Sequence, residues 1–366
     1  MGFTCGIIGL PNVGKSTLFN AITAAGAQAS NYPFCTIEPN IGVVPVPDPR
    51  LGGIARICRP GSVVPTTIEF VDIAGLVKGA SRGEGLGNTF LMHIRNVDAL
   101  AHIVRCFDDP NVVHVDGKVN PRRDIEVVET ELVLRDLETV EAKLSDAQKR
   151  SKSGDKKTQS EREVLTRIRD HLRSGRLARY FLVEGEEEEE STLGELHLLT
   201  VKPVMYVCNV HEDDAAGQSE YVRSVREVAA EEGAEVVVVS AEVEAEVGEL
   251  RLGERGEFLR GLGIEESGLD KFIRQGYSLL HLVTFFTVNE KELHAWTVPQ
   301  GTVAPEAGGK VHTDFERGFI RAEVMTYDDL MRMGSEQGVK EAGLLSVHGR
   351  DYVVRDGDIV FFRFHV

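Results

Sequence analysis

The amino-acid sequence predicts an α/β fold class: a doubly wound, mostly parallel sheet with an inserted antiparallel helical hairpin and a small β-rich domain at the C-terminal end. Three observations support this prediction. Short apolar runs alternate with helical segments before residue 123 and again after residue 200, a pattern typical of strands buried on both faces of a parallel sheet. Between these parts the apolar spacing is helical, and from residue 283 onward short alternating runs predict strands and turns.

The elements of the sheet follow in order along the chain. Strands are predicted at residues 4–9, 67–73, 99–106, 204–208 and 236–240, and a helix is predicted at residues 15–25. Two helical stretches with a polar turn at residues 151–155 predict the hairpin. We therefore expect one α/β domain from residues 1–122 and 200–282, a coiled-coil insertion at 123–199 and a separate domain at 283–366.

Composition limits the class of protein. A chain of 366 residues with 42% hydrophobic and 27% charged residues is an ordinary globular chain, too long for one core. No apolar run approaches the roughly 18 residues that span a bilayer, and the first residues lack a signal-peptide pattern. Five scattered cysteines without a CxxC pair predict reduced thiols. We expect a cytoplasmic protein with no membrane partner.

The net charge of −17 makes nucleic-acid binding by the surface as a whole unfavourable. The predicted hairpin nevertheless carries a local cluster of basic residues. Two interpretations stay open for this cluster: an RNA-binding surface, or an ordinary solvated helix face. The cluster comprises Lys143, Lys149, Arg150, Lys152, Lys156, Lys157, Arg162, Arg167, Arg169, Arg173, Arg176 and Arg179.

A phosphate-binding motif follows the first predicted strand. The pattern Gly9-x-x-x-x-Gly14-Lys15-Ser16 matches the P-loop in full, and it opens a predicted helix as that motif requires. Lys15 is expected to reach the β- and γ-phosphates and Ser16 to bind Mg²⁺. A chance glycine-rich turn is the alternative, which the strand and helix on either side disfavour. Backbone N–H groups that would surround the phosphates belong to Asn12, Val13, Gly14, Lys15, Ser16 and Thr17.

Two further positions are candidates for the magnesium site. Asp72 ends a predicted strand and begins the pattern Asp72-x-x-Gly75. An aspartate there holds Mg²⁺ through water, and the N–H of Gly75 senses the γ-phosphate. Thr36 lies in the loop between the first helix and the next strand, where a hydroxyl could close onto the metal. A loop threonine without a ligand is the alternative for Thr36.

The group that activates water is the least defined part of the predicted site. Leu76 follows Gly75 where many GTPases carry a glutamine that orients the attacking water, and leucine cannot form that hydrogen bond. We expect slow intrinsic hydrolysis or a catalytic group from elsewhere. His114, near a strand end, is a candidate, although a surface or structural histidine is the competing interpretation. Asn12 is a candidate K⁺ ligand, although Lys15 supplies positive charge there by itself.

The base-recognition motif departs from that of GTPases. They carry Asn-Lys-x-Asp after the corresponding strand, and the aspartate accepts two hydrogen bonds from guanine. This chain has Asn209-Val210-His211-Glu212. The longer Glu212 displaces the carboxylate by one methylene, which weakens the demand for guanine and permits adenine. Ser240 and Ala241, at the next strand end, fit the loop that lines the base.

Together these residues resemble the YchF / Obg-like ATPase family, a branch of the translation-factor GTPases, over essentially the whole chain. The resemblance rests on residues 9–17 (GLPNVGKST), 31–40 (NYPFCTIEPN) and 72–80 (DIAGLVKGA), and on Asn209-x-x-Glu212. The C-terminal stretch looks like the family's β-grasp-like TGS domain, and the hairpin resembles its coiled coil. The resemblance implies ATP preferred over GTP, association with the ribosome, and Mg²⁺ held by Ser16 and Thr36. It also implies that Asn12 to Thr17 contact ATP and that Val210 contacts the base through its backbone.

Three functions are compatible with these residues. The first is a Mg²⁺-dependent ATPase, expected as a monomer, that regulates the ribosome or binds rRNA through the hairpin and the TGS domain according to its nucleotide state. The second is a GTPase in which Glu212 does the work of aspartate. The third is a ribosome-binding scaffold for which the nucleotide is a structural ligand, an interpretation that Leu76 supports.

Overall fold

The computed structural model describes residues 3–28, 40–73, 93–115, 117–150, 156–182 and 187–365. The predicted site residues Thr36 and Gly75 lie outside these ranges, as does Leu76. The strands are β1 (Thr4–Ile8), β2 (Ile41–Pro45), β3 (Ser62–Val64), β4 (Thr67–Asp72), β5 (Ala99–Arg105), β6 (Val204–Asn209), β7 (Glu235–Val239), β8 (Leu282–Val288), β9 (Glu292–Pro299), β10 (Phe319–Thr326), β11 (Ser346–His348) and β12 (Asp358–Phe364).

The helices surround these strands. They are α1 (Lys15–Gln28), α2 (Pro49–Cys58), α3 (Pro121–Arg150), α4 (Lys156–Arg173), α5 (Arg179–Leu182), α6 (Glu187–Leu196), α7 (Glu220–Glu232), α8 (Ala241–Glu249), α9 (Leu252–Gly261), α10 (Gly268–Leu279), α11 (Ala304–Val311), α12 (Thr313–Arg317), α13 (Tyr327–Met333) and α14 (Glu336–Glu341).

The first sheet has the order β2-β4-β1-β5-β6-β7. Its strands run parallel except β2, which pairs with β4 in the antiparallel sense. Every residue of β5 and β6 is buried, as expected for central strands covered on both faces. The predicted α/β class is therefore confirmed, and the carboxyl ends of β1, β4, β5 and β6 meet at one edge.

The predicted helical hairpin consists of α3 and α4. Ion pairs join Arg150 to Glu161 near the turn and Arg173 to Glu141 farther along, so the two helices run antiparallel. The first turns of α3 pack in the core of the first sheet, where Ile125 is fully buried. From Val133 onward the hairpin has a hydrophobic cluster of its own. The hairpin is thus rooted in the nucleotide-binding half and has its own apolar core farther along.

The basic cluster of the hairpin is partly neutralised. Arg150, Arg169 and Arg173 each lie within 3.0 Å of a carboxylate oxygen. Arg179 is largely buried and bonds Glu232 at 2.7 Å. Lys143, by contrast, is exposed. The surface available to a polyanion is therefore smaller than the sequence suggests. Among the described helices, none has the length and apolar character to cross a membrane.

The second sheet has the order β11-β10-β12-β8-β9-β3. The predicted hairpin of β8 and β9 is present, with Phe285 opposite Trp296. Its edge strand β3 comes from far upstream and pairs with β9 in the parallel sense. Leu51 and Ile54 of α2 belong to the core on one face of this sheet. The domain predicted at 283–366 is thus completed by a helix, α2, and a strand, β3, from the first part of the chain.

Candidate nucleotide-binding site

The segment between β1 and α1 forms a tight loop in which glycine is required at two positions. Gly9 and Gly14 have φ angles of 151° and 93°, which favour glycine because it lacks a Cβ. A Cβ on Gly14 would lie 2.2 Å from Nδ2 of Asn209, and one on Gly9 would lie 2.5 Å from the carbonyl oxygen of Ile103. The two glycines of the P-loop pattern therefore permit close contact with neighbouring strands.

Lys15 is buried at the start of α1 and its ammonium curls back into the loop. Nζ donates hydrogen bonds to the carbonyl oxygens of Gly9 at 3.1 Å and Leu10 at 3.0 Å. Burial lowers the pKa of Lys15, and the charge of Asp72 opposes that shift. The loop therefore surrounds an ammonium that could exchange two carbonyl partners for phosphate oxygens. Ser16 is exposed beside it, and Thr17 lines the adjoining cavity.

Asp72 ends β4 directly beside Ile7 of β1. Burial raises its pKa, while the charge of Lys15 opposes that effect. Within the part of the chain that the structure describes, its Oδ1 atom is buried without a hydrogen-bond partner. A buried carboxylate oxygen without a partner is unfavourable, and a hydrated divalent cation would satisfy it. The residues present therefore fit Mg²⁺ at the position that the sequence predicts.

Asn209 connects the phosphate loop to the predicted base loop. Its Nδ2 donates to the carbonyl oxygen of Val13 at 2.9 Å, and its Oδ1 accepts from the N–H of Ala241 at 3.0 Å. Ser240 caps α8 by accepting from the N–H of Val243. Asn209 and Ser240 thus fix the positions of the two loops, and both side chains are buried.

A cavity of about 800 Å³ extends from the P-loop towards α8. Its walls include Asn12, Asn209, Val210 and Ala241, so the structure brings most of the predicted nucleotide contacts together. Glu212 instead lines a separate cavity of about 560 Å³ beside β7 and α10. It begins a 3-10 turn that His211 caps. Glu212, which the sequence assigns to the base, therefore lines a different cavity from Asn209 and Val210.

Arg105 helps to shape the wall of the P-loop cavity, and the sequence analysis missed it. It ends β5 with 2% of its surface exposed. Its guanidinium donates to the carbonyl oxygens of Phe107, Asp109 and Val112 and lies 4.6 Å from the centre of the Phe107 ring. These contacts hold residues 107–112, which line the cavity. The signal was present, because arginine is unusual in an otherwise apolar central strand.

His114 lies away from the cavity walls of the described chain. Its Nε2 is 2.9 Å from Oδ2 of Asp124 in the first turn of α3, and both side chains are buried. The preceding residue, Val113, accepts a hydrogen bond from Nδ2 of Asn12 at 3.1 Å. In this arrangement the His114–Asp124 pair joins the loop to the first turn of α3.

Comparisons with known proteins agree with this geometry. Residues 4–144 match the family described as "50S ribosome-binding GTPase", and residues 282–365 match the YchF-GTPase_C family, described as "Protein of unknown function". The chain is 54% identical over 366 residues to "Ribosome-binding ATPase YchF" of Escherichia coli O157:H7, and the alignment covers 100% of both chains. It is also 54% identical over 368 residues to the protein of that name from Bacillus subtilis, again with 100% of both covered.

A solved structure shows the same fold. The Schizosaccharomyces pombe YchF GTPase superposes with a TM-score of 0.88 at 36% sequence identity, and the match covers 99% of this chain and 98% of that one. The similarity therefore includes both sheets and the helical insertion together.

Proposed function

The chain belongs to the YchF family, and on that premise we propose that it is a Mg²⁺-dependent ATPase that associates with the ribosome as a nucleotide-dependent regulator. It hydrolyses ATP to ADP and phosphate at the P-loop after β1. The 54% identity to a ribosome-binding ATPase over the full length supports both ATP hydrolysis and ribosome binding.

The position of Glu212 is the observation that carries the choice of ATP over GTP. Guanine selection requires a fixed carboxylate that accepts hydrogen bonds from two N–H groups of the base. Here Glu212 lines the cavity beside β7, whereas Asn209 and Val210 line the P-loop cavity. Without that carboxylate the cavity has no strong preference for guanine, and the backbone of Val210 can contact adenine.

The phosphates are held by the P-loop and the metal by its neighbours. Backbone N–H groups of residues 12–17 bind the triphosphate, and Lys15 exchanges its carbonyl partners for β- and γ-oxygens. Ser16, Thr36 and, through water, Asp72 would hold Mg²⁺, which neutralises charge that develops on the phosphates. The N–H of Gly75 would contact the γ-phosphate. Because Leu76 cannot orient water, intrinsic turnover is slow.

Direct titration of the protein with each nucleotide in the presence of Mg²⁺ tests the choice of base. We expect ATP to bind at least tenfold more tightly than GTP, a difference of about 1.4 kcal/mol. Glu212→Gln should leave the ratio of the two affinities unchanged, because the side chain lies in the other cavity. Tighter binding of GTP, or a shifted ratio in Glu212→Gln, would contradict the proposal.

Lys15→Ala is the control for the phosphate site. It removes the ammonium at the centre of the loop, and we expect binding of both nucleotides to fall by a factor of 100 or more, on the scale of 3 kcal/mol for a charged contact. Retained turnover in this variant would place hydrolysis elsewhere. Circular dichroism checks that the variant is folded.

We further propose that rRNA contacts the hairpin and the C-terminal TGS domain. Exposed Lys143 and Lys149 support the hairpin part of the proposal. Binding of ribosomal subunits should weaken, and its salt dependence should become shallower, when Lys143, Lys149 and Arg162 are changed to glutamate. The matched control changes Arg223, Arg251 and Lys271, which are exposed on the nucleotide-binding half. Equal binding of ribosomal subunits by both triple variants would exclude the hairpin as the rRNA contact.

Several finer points stay predictions. They are the division into domains at residues 122, 200 and 282, a K⁺ ion bound by Asn12, a catalytic role for His114, a cytoplasmic location and a monomeric state. The pairing of β3 with β9 supports treating α2 and β3 as part of the C-terminal unit. Light scattering measures the oligomeric state, and turnover in Na⁺ and K⁺ buffers measures the cation requirement.

A further inference from the structure

The loop between β5 and α3 has an inverted pattern of burial. Val113 and Val115 are 75% and 53% exposed, whereas His114 between them is 8% exposed. Exposing two aliphatic side chains while burying an imidazole is unfavourable unless a specific contact holds the loop. That contact is the hydrogen bond between His114 Nε2 and Asp124 Oδ2. This buried pair acts together with the bond from Asn12 to the carbonyl oxygen of Val113 and the bond from the N–H of Gly117 to the carbonyl oxygen of His114.

The same loop is bound to the nucleotide site at its other end. Arg105 donates to the carbonyl oxygens of Phe107, Asp109 and Val112, and Asn12 of the P-loop donates to the carbonyl oxygen of Val113. Residues 107–112 line the cavity for the nucleotide. A displacement at His114 is therefore transmitted within one residue to a P-loop side chain and within a few residues to the cavity wall.

Asp124 connects the loop at residues 107–115 to the helical hairpin. It lies in the first turn of α3, a helix of 30 residues that spans about 45 Å. Arg123 contacts its other oxygen, Oδ1, at 3.1 Å. The next turn, with Ile125 and Val128, packs in the core of the first sheet. A tilt of the hairpin therefore pivots close to the carboxylate that holds the loop.

We propose that the His114–Asp124 pair couples the helical hairpin to the nucleotide cavity, with Asp124 as a positioning residue that acts through His114 on the loop at residues 107–115. The proposal rests on the proposed function, since it requires a nucleotide in the P-loop cavity. A partner that tilts the hairpin lengthens the buried hydrogen bond, releases the loop and changes nucleotide affinity. By linkage, a bound nucleotide must change the affinity of that partner for the hairpin by the same free energy.

Hydrogen exchange of the intact protein with and without ADP and Mg²⁺ tests the coupling first. We expect the nucleotide to change exchange rates at residues 121–128 as well as at 107–115. An effect that stops at residue 115 in the wild-type protein overturns the proposal. This measurement needs no substitution, so it remains decisive even if a variant fails to fold.

Asp124→Ala and Asp136→Ala form a matched pair of variants. Both aspartates are buried on α3, but Asp136 accepts from the backbone N–H groups of Leu199 and Thr200, shortly before β6, and not from the loop at residues 107–115. Both variants should lose thermal stability. Only Asp124→Ala should weaken ADP binding, by about five- to tenfold, and abolish the response at residues 121–128. Asp124→Asn, which keeps an acceptor oxygen, should bind ADP within about twofold of wild type.

The outcomes separate the inference from the function. If the wild-type protein binds no nucleotide, the proposed function fails. If it binds nucleotide and Asp124→Ala binds it equally well, or Asp136→Ala loses as much affinity, the pair is merely structural and only the coupling is wrong.

Discussion

The C-terminal sheet and the helical hairpin are attached to the nucleotide-binding half in opposite ways. The sheet is interlocked with it, because β3 completes one edge and α2 covers one face. The hairpin shares the core only at its root and has a separate cluster from Val133 onward. The difference teaches that the sheet must move with the segment that carries Asp72, whereas the outer part of the hairpin packs on an apolar cluster of its own.

Polar contacts reinforce the interlocked joint. Arg50 in α2 bonds Asp48 at 2.7 Å and Asp356 at 2.6 Å. Asp356 in turn accepts from the N–H of Thr284 at the start of the sheet. Tyr277 connects the hydroxyl groups of Thr284 and Thr297, and Thr66 bonds Thr297 from the other side. The joint therefore combines buried apolar contacts with a continuous set of hydrogen bonds.

The hairpin is joined to the nucleotide-binding half by buried charges. The hydroxyl of Tyr206 in β6 donates to Glu129 at 2.9 Å or Glu232 at 2.8 Å, and Arg179 bonds Glu232 at 2.7 Å. Burial raises the pKa of Glu129 to about 7, and the charge of Glu232 adds to that effect. We therefore expect the stability of this joint to depend on pH near neutrality.

The largest effect should come from two buried isoleucines that compare the regions directly. Ile54 and Ile168 are both fully buried, one in α2 against the C-terminal sheet and one in the hairpin. Each change to alanine should cost about 3 kcal/mol. Ile54→Ala should raise hydrogen exchange in both sheets, whereas Ile168→Ala should raise it only in α3 beyond residue 133 and in α4. If both variants raise hydrogen exchange over the same regions, the two attachments do not differ in the way proposed.

A smaller effect should follow from the pH dependence of the hairpin joint. The pKa of Glu129 is raised above its value in the unfolded chain, so the folded state holds the additional proton. Stability is therefore greatest below about pH 4.5 for this group and declines as the pH rises through about 7. Glu129→Gln cannot ionise, so its melting temperature should fall by several degrees less than that of wild type between pH 5 and pH 8.

Thermal scans across that pH range make the comparison. Glu231→Gln is the control, because that exposed carboxylate on α7 pairs with Arg122 and has a lowered pKa. Parallel pH profiles for wild type and Glu129→Gln would show that the cluster does not titrate in this range.

The smallest effect should come from Arg50→Gln. The pair with Asp356 is half exposed at the aspartate, and Asp48 keeps its bond from the backbone N–H of residue 50, so the loss of both ion pairs should cost only about 1–2 kcal/mol. We expect faster exchange at β3 and β9, measured by mass spectrometry. Arg321→Gln is the control, because it loses a pair with Glu323 inside the C-terminal sheet. If both variants loosen β3 equally, Arg50 does not contribute to the joint.

The sequence by itself determined the parts of this protein that depend on neighbouring residues. The P-loop is one continuous segment whose glycines and lysine act on their own backbone, and apolar periodicity identified the parallel strands and the hairpin helices. Full-length similarity then defined the family and its activity.

Only the tertiary structure decided which distant segments meet. Nothing in Ser62–Val64 indicates that it pairs with β9, because a strand of three residues has too short a pattern to specify a partner. The turn after Asn209 sends Glu212 to another cavity, and the partner of His114 is ten residues away on a helix. These placements depend on the sum of packing energies over the whole fold, which local patterns do not contain.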